Sequence, residues 1–282
     1  MSLSVIIPAW NASGLLAQAI ESVRRQAIVP DEIIVVDDGS QDATVEIATS
    51  LGADIRVIHH RTNRGPAAAR NSGLTAARGD WIAFLDADDL WPPDKLALQG
   101  EALRADPDCG VCLGLQRQFR HPNLFADGTP EVFSEVAYFI FLFGCGIFRR
   151  DVVDRIGPID ESMRHGEDSD WFFRLWEQAH RMLLLPEVTV HYRRHPGGIT
   201  YNKTLHEMGH LKAMAKSVAR RRKAGTVHLP EVMVHVSSDQ CITWLETARR
   251  DAGSGGWRWH EWLSRGHEKL ESSLYRAGPK KR

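Results

Sequence analysis

The sequence predicts an α/β protein built on a mostly parallel β-sheet with helices on both faces. Short apolar runs recur four times within the first ninety residues, and segments with helical spacing of apolar residues separate them. Each run is continuous rather than alternating, which is typical of strands that are covered on both faces. A chain of 282 residues can bury the core of one large domain, alone or with an appendage.

The predicted elements follow one another in βαβαβαβ order. The strands are predicted over Ser4–Pro8, Glu32–Val36, Ile55–Ile58 and Trp81–Leu85. The intervening helices are predicted over Leu15–Val23, Ala43–Leu51 and Ala67–Arg78. Asn11 and Ser13 are candidate caps for the first helix. Gly65-Pro66 places a proline at the first turn of the third helix, where its missing N–H costs no hydrogen bond.

Charge is distributed unevenly along the chain. Residues 1–202 carry 19 basic and 28 acidic side chains, whereas residues 203–282 carry 16 basic and 8 acidic ones. The acidic part suits a domain that uses cations, and the basic part suits contact with an anionic surface. No nucleic-acid reading motif accompanies the basic residues, so we expect no nucleic-acid partner.

The remaining composition favours a cytoplasmic protein. No signal peptide precedes the first predicted strand, and the longest apolar stretch, Ala137–Phe148, is too short to span a bilayer and is predicted to be core. Cys109 and Cys112 form the only C-x-x-C pair, so we expect buried thiols rather than a closed zinc site.

Polar residues cluster where three of the predicted strands end. They lie in the segments Pro8-Ala9-Trp10-Asn11, Asp37-Asp38 and Asp86-Ala87-Asp88-Asp89. In parallel sheets, ligands bind beyond the carboxyl ends of the strands. Asp86 and Asp88, with D-x-D spacing, suit a hard divalent cation that also holds phosphate oxygens. The alternative is a polar turn with an aspartate helix cap. No glycine-rich phosphate loop is present, so a metal would have to take its place.

Four ordered blocks of this sequence closely resemble family 2 glycosyltransferases of the GT-A fold, over residues 1 to roughly 200. The blocks are Ser4-Val5-Ile6-Ile7-Pro8-Ala9-Trp10-Asn11, Ile33-Ile34-Val35-Val36-Asp37-Asp38-Gly39-Ser40, Asn63-Arg64-Gly65-Pro66-Ala67-Ala68-Ala69-Arg70-Asn71 and Ala83-Phe84-Leu85-Asp86-Ala87-Asp88-Asp89-Leu90-Trp91-Pro92. The resemblance implies a Rossmann-like GT-A domain, a nucleotide-diphosphate sugar donor, Mn²⁺ or Mg²⁺, and inverting transfer.

The resemblance also assigns the donor site. Its implied nucleotide-sugar-binding residues are Pro8, Ala9, Asn11, Asp38, Arg70, Asp86, Ala87 and Asp88. In that assignment Asp38 accepts a hydrogen bond from the base or the ribose of the nucleotide. Asp86 lies nearer the ribose, and Asp88 binds the metal. Arg70 braces the aspartates or the diphosphate, the alternative being an arginine on a helix surface.

Downstream segments complete the implied site. Glu167 and Asp168 match the pair in which the family places its general base, with Asp168 as the base, Glu167 as its helper and Asp170 as a weaker alternative. The alternative is that both are acidic residues in the first turn of a helix, where a negative charge interacts favourably with the helix dipole. Arg193-Arg194-His195 matches an R-x-H element, which makes His195 a second candidate metal ligand, although a lone histidine is usually structural.

The resemblance implies that small residues at Gly144 to Gly146 let the backbone approach a sugar ring, and a nucleophilic role for Cys145 is unnecessary. Acceptor contacts are expected from Gln116–Phe143 and from the tail, where Arg120–Gly128 is predicted to be an exposed loop.

Two domains are predicted, a GT-A domain over residues 1–205 and a helical extension over 206–282. Within the extension, helices are predicted over Glu207–Ala224 and Glu231–Arg250. The arginine cluster and tryptophans of this part suit peripheral contact with the inner membrane face, where lipid-linked acceptors lie. The alternative is a helical bracket that packs on the catalytic domain.

The predicted function is metal-dependent, inverting transfer of a sugar from a nucleotide-diphosphate donor, UDP by default with GDP and dTDP as alternatives. The acceptor would be a hydroxyl of a glycan or lipid-linked molecule in cell-surface polysaccharide or glycolipid synthesis, and the enzyme a hexosyltransferase. One alternative is an inert nucleotide-sugar-binding or assembly protein. A sugar nucleotidyltransferase is disfavoured because Pro8-Ala9-Trp10-Asn11 stands where those enzymes carry a basic glycine-rich loop.

Overall fold

The computed structural model describes residues 2–124, 128, 130–132, 137, 139–178, 180–201, 207, 209–226 and 234–236. The strands are β1 Leu3–Ala9, β2 Glu32–Asp37, β3 Ile55–His59, β4 Trp81–Phe84, β5 Val111–Leu124, β6 Pro130–Val132, β7 Gly146–Arg149, β8 Met182–Arg194 and β9 Val234–Val236. The helices are α1 Leu16–Arg24, α2 Thr44–Ser50, α3 Pro66–Ala76, α4 Lys95–Ala105, α5 Arg150–Ile156, α6 Glu167–Glu177 and α7 His210–Lys223, with a 3₁₀ turn at Phe143–Cys145.

One sheet runs through the described part of the chain in the order β3-β2-β1-β4-β7-β5-β8-β9, and β6 pairs with β5. Neighbours among β1 to β4 are parallel, as are β5 with β8 and β8 with β9. Strand β7 is antiparallel to both β4 and β5, which joins the two parallel parts. The predicted mostly parallel sheet and its first four strands are confirmed.

Helices cover both faces of the sheet, as β1 illustrates. Val5 and Ile7 belong to the core cluster that also contains the buried residues of α1. Ile6 points to the other face, because successive side chains of a strand alternate. There it meets α3 so closely that a Cβ on Gly73 would lie 2.3 Å from Ile6 Cγ2. Gly73 therefore lets α3 lie directly on the sheet.

An aromatic cluster fixes helix α6 against the sheet. Phe143, Phe148, Trp171 and Phe172 are all buried, and each ring centroid lies within 5.3–6.0 Å of another in the cluster. Trp171 and Phe172 come from α6, while Phe143 and Phe148 come from the predicted apolar core stretch. This packing sets the position of the first turn of α6, where Glu167 and Asp168 lie.

A backbone bridge brings the loop after β4 to the end of β8. Leu90 N–H donates to His191 O at 3.1 Å, and His191 N–H donates to Leu90 O at 2.8 Å. The D-x-D residues and the carboxyl end of β8 are thereby adjacent, although they are separated by about a hundred positions in the chain.

Three local predictions were wrong. Helix α1 begins at Leu16 without a side-chain cap, because the Asn11 side chain accepts Gln41 N–H (2.8 Å) instead. Residues 120–124 continue β5 rather than forming a loop, since pairing with β8 extends as far as Arg120. Val234–Val236 form β9 beside β8 instead of part of a helix.

The predicted helix after residue 207 is confirmed as α7, which packs along α6 within the same compact unit. The other predicted features of residues 237–282 lie outside the described residues, and the domain boundary near residue 205 stays a prediction. Cys109, Cys112 and Cys145 are buried free thiols. Among the described helices, none is long and apolar enough to cross a membrane.

Candidate active site

The ends of β1, β2 and β4 meet at one edge of the sheet. Asp38 N–H, just beyond β2, donates to Ala9 O at the end of β1 (2.8 Å), and Leu85 N–H, just beyond β4, donates to Ile6 O (3.1 Å). Pro8, Ala9 and Ala87 line this edge with little polar side-chain surface. Trp10 follows directly and is 52% exposed.

Asp38 is buried and held by three residues of one loop. Its carboxylate accepts Arg64 N–H (3.0 Å) and Gly65 N–H (2.7 Å), and Oδ1 lies 2.7 Å from His60 Nδ1. His60 Nε2 in turn lies 2.8 Å from Ser72 Oγ on α3. Asp38 therefore fixes the turn that begins α3, and sequence reasoning missed His60 as its partner.

Asn11 and Asp37 organise the opposite side of the crevice. Asn11 has a φ of +48° and donates its backbone N–H to Ser40 Oγ (2.8 Å), while its side chain accepts Gln41 N–H. Asp37 Oδ2 lies 2.7 Å from His59 Nδ1, whereas Oδ1 is buried without a hydrogen-bond partner. The loop after β2 is thus tied to the loop after β1.

Arg70 on α3 joins the D-x-D loop to α6. Its Nη2 donates to Asp86 Oδ1 (2.6 Å) and its Nη1 donates to Glu167 Oε1 (2.8 Å). The guanidinium is almost fully buried and lies 5.4 Å from the centroid of the Phe143 ring. The alternative of a surface arginine is excluded, because the side chain braces two carboxylates inside the site.

Burial makes Glu167 and Asp168 weaker acids than usual. Desolvation raises the pKa of Glu167 to about 7 and the pKa of Asp168 to about 6, although the positive charge of Arg70 opposes both shifts. Asp168 Oδ1 also accepts Ser169 N–H at 2.7 Å. A carboxylate whose pKa lies close to neutral is suited to accept a proton.

Asp170, the weaker alternative, is occupied elsewhere. It is buried, with Oδ2 accepting from Arg174 Nε (3.1 Å) and Oδ1 accepting from Arg220 Nη1 (2.7 Å). Each of its two carboxylate oxygens therefore already accepts a hydrogen bond from an arginine. Arg220 comes from the predicted basic cluster, so part of that cluster serves to pack α7 on α6.

Asp88 and His195 face each other at the end of β8. Asp88 Oδ2 lies 3.0 Å from His195 Nε2, and the Asp88 side chain is 34% exposed. Arg193 holds this loop in place by donating from Nε to Asp88 O (2.6 Å) and from its backbone N–H to Asp89 Oδ1 (2.8 Å). Asp89 is itself buried, and burial raises the pKa of its carboxyl group well above the usual range.

The residues at this position fit a divalent cation that is shared with a ligand. Within the described part of the chain, no group of three or more His, Cys, Asp or Glu side chains is arranged to hold an ion by itself. Asp88 and His195 supply two donor atoms that are adjacent and partly exposed. Mg²⁺ and similar ions are commonly bound by one or two protein ligands together with substrate phosphates.

The small residues at the start of β7 differ in how closely their neighbours pack against them. A Cβ on Gly146 would lie 2.4 Å from the Phe148 ring, whereas a Cβ on Gly144 would meet only ordinary contacts. Burial raises the pKa of the Cys145 thiol to about 12. A thiol that remains protonated is a poor nucleophile, in keeping with the prediction that Cys145 has no nucleophilic role.

A shallow cavity of about 240 Å³ lies where α7 begins, beside the loop that leads into α6. Its lining residues are Ser162, Arg164, His165, Glu207, Gly209 and Lys212. Since His165 precedes Gly166 and Glu167, this cavity leaves open space next to the first turn of α6. No sequence pattern pointed to it, because its walls come from two segments that are about forty positions apart.

Comparison with known proteins agrees with this arrangement. The family model described as glycosyl transferase family 2 matches residues 4–157. The chain is 32% identical over 216 residues to an uncharacterized glycosyltransferase, EpsJ, of Bacillus subtilis (strain 168), an alignment that covers 70% of this chain and 62% of EpsJ. It is 43% identical over 95 residues to the succinoglycan biosynthesis protein ExoO of Rhizobium meliloti, covering 33% of this chain and 27% of ExoO. The chain therefore spans less than two thirds of the length of either relative.

A solved structure shows the same fold. The crystal structure of S. aureus TarS 1-349 in complex with UDP-GlcNAc aligns with a TM-score of 0.61 at 22% identity, covering 78% of this chain and 66% of that chain. The predicted GT-A fold is thus confirmed. Because the family model matches more than half of the sequence, this chain belongs to glycosyltransferase family 2.

Proposed function

We propose that this protein is a metal-dependent, inverting hexosyltransferase that moves a sugar from a nucleotide-diphosphate donor to a hydroxyl group of a glycan or lipid-linked acceptor. The observation that carries the proposal is the double contact of Arg70, which joins Asp86 of the D-x-D loop to Glu167, the neighbour of Asp168. A donor-side carboxylate and a candidate base are thereby held in one site.

Asp168 is the proposed general base. In inverting transfer one carboxylate takes the proton of the acceptor hydroxyl while that oxygen attacks the anomeric carbon, opposite the departing diphosphate. The pKa of Asp168, raised to about 6 by burial, leaves it ionised at neutral pH yet more basic than an ordinary aspartate. Glu167, bonded to Arg70, acts as its helper, because it fixes the turn on which Asp168 lies.

Asp88 and His195 are the proposed ligands of Mn²⁺ or Mg²⁺. When bound there, the ion would neutralise negative charge on the leaving diphosphate. The partly exposed Asp88 carboxylate and its 3.0 Å contact with His195 support the assignment. Arg193 holds the backbone of this loop through its hydrogen bond to Asp88 O.

The donor is proposed to be a UDP-sugar that lies across Pro8, Ala9, Asn11 and Asp38. The structural neighbour TarS was crystallised with UDP-GlcNAc, and the relative ExoO is named for succinoglycan biosynthesis. We therefore place the acceptor among cell-surface polysaccharides. Asp38 is already bonded to Gly65 and His60, so the proposed contact with the base uses a carboxylate that is held in a fixed orientation.

Calorimetric titration tests the proposal directly. UDP, GDP and dTDP are titrated into the protein with Mn²⁺ and then with EDTA, and the corresponding sugar donors are assayed for transfer. We expect one nucleotide to bind in a Mn²⁺-dependent way and its sugar donor to support transfer. Binding of no nucleotide under either condition would contradict the proposed function, and equal binding with EDTA would contradict the metal.

A further inference from the structure

Helix α7 is locked onto the start of α6 by a hydrogen bond between His210 and Ser169. His210 Nδ1 lies 2.8 Å from Ser169 Oγ, and Ser169 is almost fully buried. His210 is the first residue of α7, and Ser169 is in the first turn of α6. Burial lowers the pKa of His210, which favours the neutral ring as the hydrogen-bonding form.

The two helices begin in unusually close contact. Gly209 has a φ of +76°, and a Cβ at this position would lie 2.1 Å from His165 O and 3.2 Å from Gly166 N. Only glycine tolerates both the left-handed conformation and this approach. The start of α7 is therefore pressed directly against the residues that precede Glu167.

Further contacts hold the rest of α7 and keep it from shifting along α6. Lys216 pairs with Asp160, and Lys212 donates to Ser162 O at 3.2 Å. At the other end, Arg220 donates to Asp170 and Glu177 of α6. Because these contacts are distributed over three turns, the loss of any one of them leaves the helix, and His210 with it, in place.

Ser169 connects His210 to the proposed base. Its backbone N–H donates to Asp168 Oδ1 at 2.7 Å, while its hydroxyl is held by His210. We propose that His210 is a positioning residue, which through Ser169 fixes the first turn of α6 and with it the carboxylate of Asp168. This inference rests on the proposed function, in which Asp168 is the base. A misplacement of about 1 Å is enough to cost an enzyme roughly a hundredfold in rate.

Three variants test this role. His210→Ala removes the contact with Ser169, and His210→Asn can restore it, since an amide nitrogen or oxygen can reach the place of Nδ1. Lys216→Met is the matched control, because it breaks another contact of the same helix away from Ser169. Each is measured for kcat, for the donor KM, and for backbone hydrogen exchange of a peptide that spans residues 166–172.

We expect His210→Ala to lower kcat by about 10- to 100-fold with the donor KM within about twofold, and to speed exchange at the first turn of α6. We expect His210→Asn to recover most of both, and Lys216→Met to change neither. Unchanged exchange in His210→Ala, or an equal loss of kcat in Lys216→Met, would overturn the proposal. If the wild type transfers no sugar, the proposed function fails, but the exchange data still decide whether His210 holds this turn.

Discussion

Arg70 Nη1 donates to Glu167 Oε1 across 2.8 Å, although the two residues are 97 positions apart in the chain. The same guanidinium reaches Asp86 on the D-x-D loop. One buried cation therefore neutralises carboxylates from two elements that would otherwise repel each other. This contact explains why the donor side and the base side of the crevice can lie so close together.

Replacing Arg70 with Met should destabilise the protein by an amount approaching the roughly 3–5 kcal/mol that removal of one partner from a buried ion pair costs. The reason is that Glu167 would remain buried without its cation. Because the pKa values of Glu167 and Asp168 would then rise further, the lost stability should be partly regained as the pH falls from 8 to 6. Urea unfolding at both pH values measures this.

Arg64→Met is the matched control for Arg70→Met. Arg64 pairs with Glu161 at 3.0 Å, but both side chains are about half exposed, so the loss should stay below about 1 kcal/mol. Equal losses of stability in the two variants would show that the buried ion pairs of Arg70 contribute no more than an exposed one.

Asp168→Asn should abolish transfer while leaving nucleotide binding near that of the wild type. An amide cannot accept the acceptor's proton, and loss of a general base lowers kcat by about 10²- to 10⁴-fold. Kinetics and calorimetry on the same preparation separate the two effects. Asp154→Asn makes the same substitution on an exposed position of α5 and should keep full activity. Parallel loss of nucleotide binding would remove Asp168 from the role of base.

Asp88→Ala and His195→Ala should each weaken Mn²⁺-dependent nucleotide binding by at least about tenfold, or about 1.4 kcal/mol. If both side chains hold one ion, the double variant should lose little more than either single one. Calorimetric Kd values with Mn²⁺ give this comparison. Asp94→Ala, on an exposed residue that also follows the D-x-D loop, serves as control. Fully additive losses would indicate that the two residues act separately.

The rate of transfer should fall as the pH drops through about 6. Burial raises the pKa of Asp168 to about 6, and only its ionised form can accept a proton. Below that pKa, kcat should decrease by about tenfold per pH unit. Nucleotide binding is measured over the same pH range, so that weaker binding of the donor is not mistaken for a slower reaction. A rate that stays constant down to pH 5 would contradict Asp168 as the base.

The first half of the sheet could be predicted because its information is local. Continuous apolar runs such as those in β1 and β2 specify strands that are buried on both faces, and Gly65-Pro66 marks the start of α3. The D-x-D pair and Asp168 could also be proposed from short motifs. Such patterns depend only on residues that are close in sequence, so they can be recognised without the three-dimensional structure.

The partners of these residues could not be predicted, because they are distant in sequence. His60 reaches Asp38 across 22 positions, and His210 reaches Ser169 across 41. The local sequence predicts Asn11 as a helix cap, yet its side chain accepts Gln41 N–H once β1 and β2 are adjacent. In each case tertiary contact decides between local options that the sequence leaves open.

The free energy of unfolding should rise as the pH increases above 7, because Lys95 is buried. Its side chain is fully buried, with Gly146 O at 3.4 Å, Gln99 and the Trp91 ring (4.8 Å) as its neighbours. Desolvation lowers its pKa to about 7, well below the 10.5 of an ordinary lysine. Between these values the unfolded chain binds the proton more than the folded one does, so the free energy of unfolding should rise with pH, by at most about 1.4 kcal/mol per unit.

The comparison of wild type with Lys95→Met isolates this contribution. Methionine fills a similar volume without a charge, so the variant should lack the rise between pH 7.0 and 8.5 and should be the more stable protein at the lower end. The window stops at 8.5 because burial also raises the pKa of Cys112 and Cys145 to about 12, which lowers stability once thiols ionise in the unfolded chain. Lys212→Met, at an exposed position on α7, should retain the wild-type slope. Identical slopes for wild type and Lys95→Met would show that Lys95 keeps its proton in the folded protein, stabilised by Trp91 and the two oxygen acceptors.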